Sequence, residues 1–210
     1  MKVLLFNGSP HKDGCTFNAL SQVAKELETA GIEAQILQIG SKAFRGCTAC
    51  GGCKATDQCV LGKEDGLNEI LAFCREADGF VFGSPVYYAS ANGTLISFMD
   101  RLFYTGGQFL AHKPAAAVAS ARRAGTTATL DEIQKYFTIN QMPIVSSTYW
   151  NMVHGGNGRG QEAAQDLEGM QTMRNLGKNM AWLLRCIEAG KAAGIMPPEP
   201  DRGARTDFIR

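Results

Sequence analysis

Short apolar runs alternate with stretches of helical periodicity from the first residue to about residue 148. Residues 2–6 form a continuous strand-like run that stops at Asn7-Gly8-Ser9-Pro10. Phe17, Leu20, Val23 and Leu27 then recur at helical spacing, and Gly31 closes that helix. Residues 33–39 predict a second strand. A helix over 66–77 follows, with Leu67, Ile70, Leu71 and Cys74 on one face. A third strand is expected over 79–83, then a helical stripe of Leu95, Phe98, Met99, Leu102 and Phe103. Residues 114–120 predict a fourth strand, 130–137 part of a helix and 143–148 a fifth strand. Beyond a glycine-rich segment at 154–160, a long helix carries Leu167, Met170, Met173, Met180, Leu184 and Ile187 as its stripe. Such a methionine-rich face suits core packing or a subunit contact better than a cofactor box.

Five strands separated by helices imply βαβ units and a parallel sheet, because parallel neighbours need long right-handed crossovers. The strands are apolar throughout rather than alternating, which calls for helices on both faces. One domain is expected over 1–196, with a cysteine-rich insert loop at 40–64, followed by a Pro- and charge-rich tail at 197–210.

Composition narrows the function. With 45% hydrophobic and 20% charged residues, the chain suits one ordinary globular domain. A formal charge of +1 without a basic run gives no footprint for nucleic acid. The apolar stretch after Lys2 is too short for a signal peptide, and no run is long enough to span a bilayer. No membrane partner and a cytoplasmic location are therefore expected. Seven cysteines, four of them between Cys47 and Cys59, make a poor disulfide framework but suit thiolate chemistry in a reduced compartment.

Ligands of open parallel sheets bind at the carboxyl ends of the strands. Three loops fall there, at 8–18, 84–93 and 119–127. The first, GSPHKDGCTFN, runs straight into a helix whose free N–H groups would seat a phosphate. It matches neither GxGxxG nor GxxxxGK[ST], so a monophosphate fits better than a dinucleotide or a nucleoside triphosphate. A bare N-capping turn is the plain alternative. The second, SPVYYASANG, offers a wall for a flat aromatic ligand or a simple packing pair, and the third carries Arg122 and Arg123, either a cation to stabilise negative charge on a reduced ring or a solvated pair of surface charges. A cysteine-phosphatase loop is excluded, because residues 16–21 after Cys15 contain no arginine to close an anion clamp.

GSP with a GxT downstream, the SPVYY segment and the run LISFMDR resemble the NADPH-dependent FMN reductase and iron–sulfur flavoprotein group of flavodoxin-like proteins, over about residues 1–190. The resemblance implies a three-layer α/β fold with a five-stranded parallel sheet in the order 2-1-3-4-5. It implies an FMN phosphate held by Ser9, Thr16, Asn18 and the intervening backbone. The isoalloxazine would lie along Pro85, Val86, Tyr87 and Tyr88, and the loop with Ser120, Arg122 and Arg123 would complete the pocket. His11 and Cys15 stand where the family carries Arg and Asn, and Ser97 where it often carries Lys. Both His11 and Cys15 stay among the candidate cofactor residues. The implied activity passes electrons from NAD(P)H or a reduced carrier through FMN to a second acceptor, such as free flavin or quinone. Tyr87, Arg122 and Arg123 are the side chains placed nearest that chemistry.

Cys47, Cys50, Cys53 and Cys59 form CxxCxxCxxxxxC. Zinc sites usually pair two knuckles across a longer spacer, whereas three cysteines at a pitch of three suit the corners of a [4Fe–4S] cluster. A cluster, plain thiols or disulfides, and zinc all stay open. With a cluster, the chain would be an electron-transfer flavoprotein whose donor could be a ferredoxin. A non-enzymatic binding or assembly module on the same fold is the reading from another class. Cys74 and Cys186 are expected to be buried, and Trp150 and His154 to line the substrate side of the flavin or, for His154, to be structural. The flavin edge, the last helix and the tail suggest a homodimer or homotetramer.

Overall fold

The computed structural model describes residues 1–156, 159–204 and 206–207. Strand β1 (Lys2–Asn7) lies between β2 (Glu33–Gln38) and β3 (Gly79–Tyr87), and β5 (Ala115–Ala121) and β6 (Met152–His154) follow on the far side of β3. These five strands are parallel in the order β2-β1-β3-β5-β6, while the two-residue β4 (Ser90–Ala91) folds back antiparallel on the end of β3. With β4 set aside as a hairpin arm, this is the expected 2-1-3-4-5 order.

The sheet divides two apolar layers. Helices α4 (Leu67–Glu76), α5 (Gly93–Leu110) and α6 (Thr126–Ile139) cover one face, where Phe6, Phe80, Phe82, Phe98 and Phe137 are buried together. Phe6 stacks on Phe82 with ring centroids 4.6 Å apart and meets Phe98 at 5.4 Å. Helices α1 (Cys15–Thr29) and α8 (Leu167–Ala192) cover the other face through Leu20, Val23, Leu27, Met173, Leu176 and Met180. The methionine stripe of α8 is thus core packing. β5 is built of small residues, five alanines with Val118 and Ser120, because the layers above and below already supply the bulk.

Three local expectations are corrected. The fifth strand expected over 143–148 does not form; there Ile144 makes an isolated bridge to Ala115. The chain leaves the sheet after Val145 and rejoins it at Asn151, whose carbonyl accepts from Ala119 N at 2.9 Å before β6 begins. Polar groups drive this excursion. Ser147 donates to Thr172 O at 2.7 Å and Asn179 donates to Ser146 O at 2.8 Å, so α8 captures the segment that the ladder releases. The Asn151 amide fills the gap by donating to Ala117 O at 3.0 Å. Secondly, Leu167 is 78% exposed, because it opens α8 beside its cap Asp166 before the helix reaches the core. Thirdly, Cys186 is exposed, since the buried stripe of α8 ends at Leu184, whereas Cys74 is buried as expected. The insert loop is not wholly irregular and leads through two short helical turns, α2 (Cys53–Thr56) and α3 (Gly62–Asp65); a third short turn, α7 (Gly160–Ala163), precedes α8.

Candidate functional site

Two cavities carry the candidate residues. The first lies at the carboxyl ends of β1, β3 and β5. A recess of about 240 Å³ is lined by Ser9, His11, Cys15, Thr16, Pro85, Val86, Tyr87, Ser120 and Arg122, together with Ala121, Gly155 and Gly156. The three strand-end loops therefore converge. Nine of the twelve expected residues face one space. Asn18 instead lines an adjoining recess of about 610 Å³ with Asp13, Phe17, Arg159 and Gly160, and His11 borders both. Tyr88 points fully outward, and Arg123 is exposed outside the lining.

Local chemistry explains the close approach of the first loop. Gly8 N donates to Gly83 O at 2.8 Å, and a Cβ on Gly8 would stand 2.7 Å from that same oxygen. Asn7 turns the chain by accepting from Ser9 N at 3.1 Å and donating to Gln38 Oε1 at 2.6 Å. Helix α1 then starts at Cys15 after its N-cap Gly14, with no side-chain cap on its first N–H groups, and its first two residues, Cys15 and Thr16, line the recess. Such an end favours an anion. Thr16 Oγ1 and Ser120 Oγ lie 2.8 Å apart, both buried, and tie the first loop to the third. Burial pushes the Cys15 thiol above its ordinary range, against the opposing backbone hydrogen bond from Ala163. Cys15 is thus a packed thiol, and its Sγ donates to Arg159 O at 3.2 Å.

The second loop is a minimal hairpin. Val86 pairs with Ala91 and Tyr87 with Ser90, and the two turn residues, Tyr88 and Ala89, both take positive φ (50° and 60°). That is the backbone of a tight primed turn, here made by residues that pay steric strain for it. Glu132 of α6 holds the hairpin, accepting from Ala91 N at 2.8 Å and Ser90 Oγ at 2.6 Å. Ser84 Oγ accepts from Asn92 N at 2.8 Å, and Asn92 caps α5. Glu132, Gly155 and Gly156 carry no motif and were not legible. Asn92 is not among the expected residues, although an Asn just before an apolar helical stripe is a cap signal that could have found it. Trp150 is 60% exposed, packs edge-on against Tyr149 and lines a different groove, away from the recess. His154 sits inside β6 rather than after the last strand, with its main-chain N–H on Asp166 at 2.8 Å, in keeping with the structural reading.

The second cavity, of about 250 Å³, is lined by Cys47, Cys50, Cys53 and Cys59 with Arg101, Tyr104 and Thr105 of α5. All four thiols are free. Cys59 is clamped: its N–H donates to Asn68 Oδ1 at 2.9 Å, its carbonyl accepts from Asn68 Nδ2 at 3.1 Å, and its sulfur accepts from Arg101 Nε at 3.3 Å. Cys50 is solvent-exposed, and the Gly52 N–H pulls its thiol below the ordinary range. Ala49 and Asp57 take positive φ (53° and 52°), as does Gly51, which shapes the loop around the space.

Among the described residues, no three His, Cys, Asp or Glu side chains converge as one metal ion requires. A zinc ion at about 2.3 Å from each sulfur would draw them together. A cubane gives each thiolate its own iron and so takes four separate thiolate donors, the donor set that borders this cavity.

The chain's first 157 residues match the model of the NADPH-dependent FMN reductase family. An iron–sulfur flavoprotein of Methanocaldococcus jannaschii is 32% identical over 90% of this chain and 100% of its own. One of Methanosarcina thermophila is 30% identical over 91% of this chain and 99% of its own. The crystal structure of RosB with a bound 8-demethyl-8-formylriboflavin-5'-phosphate superposes with a TM-score of 0.69 at 15% identity, over 100% of this chain and 96% of that one, which bears on the fold alone. Among the described residues no helix is long and apolar enough to cross a membrane. The chain belongs to the NADPH-dependent FMN reductase family and is grouped there with the iron–sulfur flavoproteins.

Proposed function

We propose that this chain is an electron-transfer oxidoreductase that holds FMN in the strand-end recess and an iron–sulfur cluster on Cys47, Cys50, Cys53 and Cys59. The observation that carries the reading is that all four thiols border one cavity of a molecule whose strand ends form a separate recess at an uncapped helix N-terminus. Bound there, the isoalloxazine would exchange one or two electrons, and the cluster one at a time.

The chain's own groups set the geometry. The N–H groups at the start of α1 and the Thr16 and Ser120 hydroxyls suit a dianionic head group. Pro85, Val86 and Tyr87, held by Glu132, give a flat ring a wall that need not reorganise. Arg122 supplies a cation at the rim for a ring that gains negative charge on reduction. The recess and its continuation past His11 together exceed the roughly 300 Å³ lower end of ligand pockets.

Protein purified without oxygen should show two flavin bands, a broad shoulder from the cluster, and iron with acid-labile sulfide. Cys50→Ser should keep the flavin and lose the iron. Colourless protein that takes up no FMN would refute the flavin assignment, and iron retained in Cys50→Ser would refute the ligand set. The family's own description favours NADPH as donor. Donor and acceptor would then use one ring face in turn, giving ping-pong kinetics; a ternary complex would count against it. A ferredoxin as donor would instead reduce the protein without any nicotinamide.

A further inference from the structure

Arg101 is 1% exposed and heads the largest fully buried side chains of the described core, an unusual place for a guanidinium. It lies on α5 between the aromatic layer and the cysteine cavity. Its Nη1 and Nη2 both reach the Asp65 carboxylate, Nη2 to Oδ1 at 3.3 Å, and Nη1 also donates to Arg45 O at 3.2 Å. The remaining direction, Nε, is spent on the Cys59 sulfur. A planar fork of five donors is needed to serve a carboxylate, a carbonyl and a sulfur at fixed angles; a lysine could not do it.

The cost of burying this ion pair is substantial, and a buried pair by itself is weak evidence of stabilisation. A packed apolar residue would serve the core as well. What an apolar residue cannot do is point a charged N–H at sulfur. Asn68 fixes the main chain of the same residue from both sides, so Cys59 is held in main chain and side chain before anything binds. By contrast, Cys47 and Cys50 are exposed on the strained side of the loop.

Resting on the cluster reading above, we infer that Arg101, held by Asp65, is a positioning residue that fixes the Cys59 sulfur as the anchored corner of the cluster site and sets the cluster's reduction potential. Reduction adds one electron and breaks no bond, so a charged donor on a ligand sulfur favours the reduced state. Asp65 offsets part of that charge. Removing the cation and removing its counter-charge therefore act in opposite directions.

The test is an EPR-monitored redox titration of anaerobically purified protein, with iron, sulfide and FMN counted per chain. Arg101→Gln should move the cluster potential to more negative values, and Asp65→Asn to more positive values, with FMN content unchanged in both. Iron per chain should fall in each as the anchored corner loosens. Shifts of one sign in both variants, or no shift at full iron loading, would overturn the inference. If Arg101→Gln does not fold, as far-ultraviolet dichroism and FMN uptake would tell, the sign of the Asp65→Asn shift decides alone. Wild-type protein that takes up no iron would defeat the cluster reading itself, a separate outcome.

Discussion

The two cavities are of similar size and are built on opposite principles. The strand-end recess is framed by backbone that the sheet has already fixed, and its buried hydroxyls are paired across loops before any ligand arrives. The cysteine cavity is framed by a loop with two of its four cysteines, Cys47 and Cys50, exposed, and with one corner tied to α4 and α5 by Asn68 and Arg101. One site borrows rigidity from the core; the other has it at a single point. The first is preorganised by neutral contacts and one carboxylate, Glu132, on its hairpin, whereas the second relies on the buried Arg101 paired with the partly buried Asp65.

The sharpest way to break the contrast is at Gly8. Gly8→Ala drives a Cβ to within 2.7 Å of the Gly83 carbonyl, a backbone atom that cannot step aside. We expect a loss of about 1–3 kcal/mol in urea unfolding and FMN affinity at least about tenfold weaker by fluorescence titration, worth about 1.4 kcal/mol. Iron per chain should hold. Asn68→Ala is the converse. It frees both main-chain groups of Cys59, costs about 1–2 kcal/mol and lowers iron per chain while FMN titrates as in wild type. If either variant disturbs both cofactors equally, the two sites are not independent.

Burial also sorts the thiols, and pH reads it. Desolvation pushes the Cys74 thiol up from 9.0 to about 12, with Lys113 partly opposing. Below pH 9 the thiol is protonated folded and unfolded. Between pH 9 and 12 the unfolded thiol ionises first, so the folded state binds more protons and stability falls as pH rises. Lys113 acts in the other direction, since burial lowers its ammonium from 10.5 and stability is regained as pH approaches that value. Chemical denaturation across this range should show a fall that Cys74→Ala flattens.

The smallest effect is at the hairpin. Ala89→Gly relieves roughly 1 kcal/mol of left-handed strain but adds unfolded-state freedom of similar size. Thermal unfolding should shift by a degree or two at most, while the FMN affinity holds if Glu132 fixes the hairpin.

Much of this was readable before any coordinates. Apolar strand runs with helical stripes between them are a consequence of burial on both faces, so Val3 to Phe6 and Phe80 to Phe82 declared themselves. The loops at 8–18, 84–93 and 119–127 followed because ligand sites sit at strand ends. What misled was 143–148, where β-branched residues read as strand. There, bonds to Thr172 and Asn179 on a helix more than 20 residues away pull the chain off the ladder. Leu167 and Cys186 misled for a related reason, since periodicity names a face but not where along the helix the core ends.

Near neighbours along the chain are enough to specify the layered α/β architecture, the anion-favouring first loop and the four-thiol spacing. Tertiary structure alone decided which residues complete those sites. Glu132 reaches the hairpin from 41 residues away, Arg101 reaches Cys59 from 42, and Ser120 meets Thr16 across 104. Nothing local marks such partners, because the free energy of a buried polar contact depends on what the fold brings opposite it.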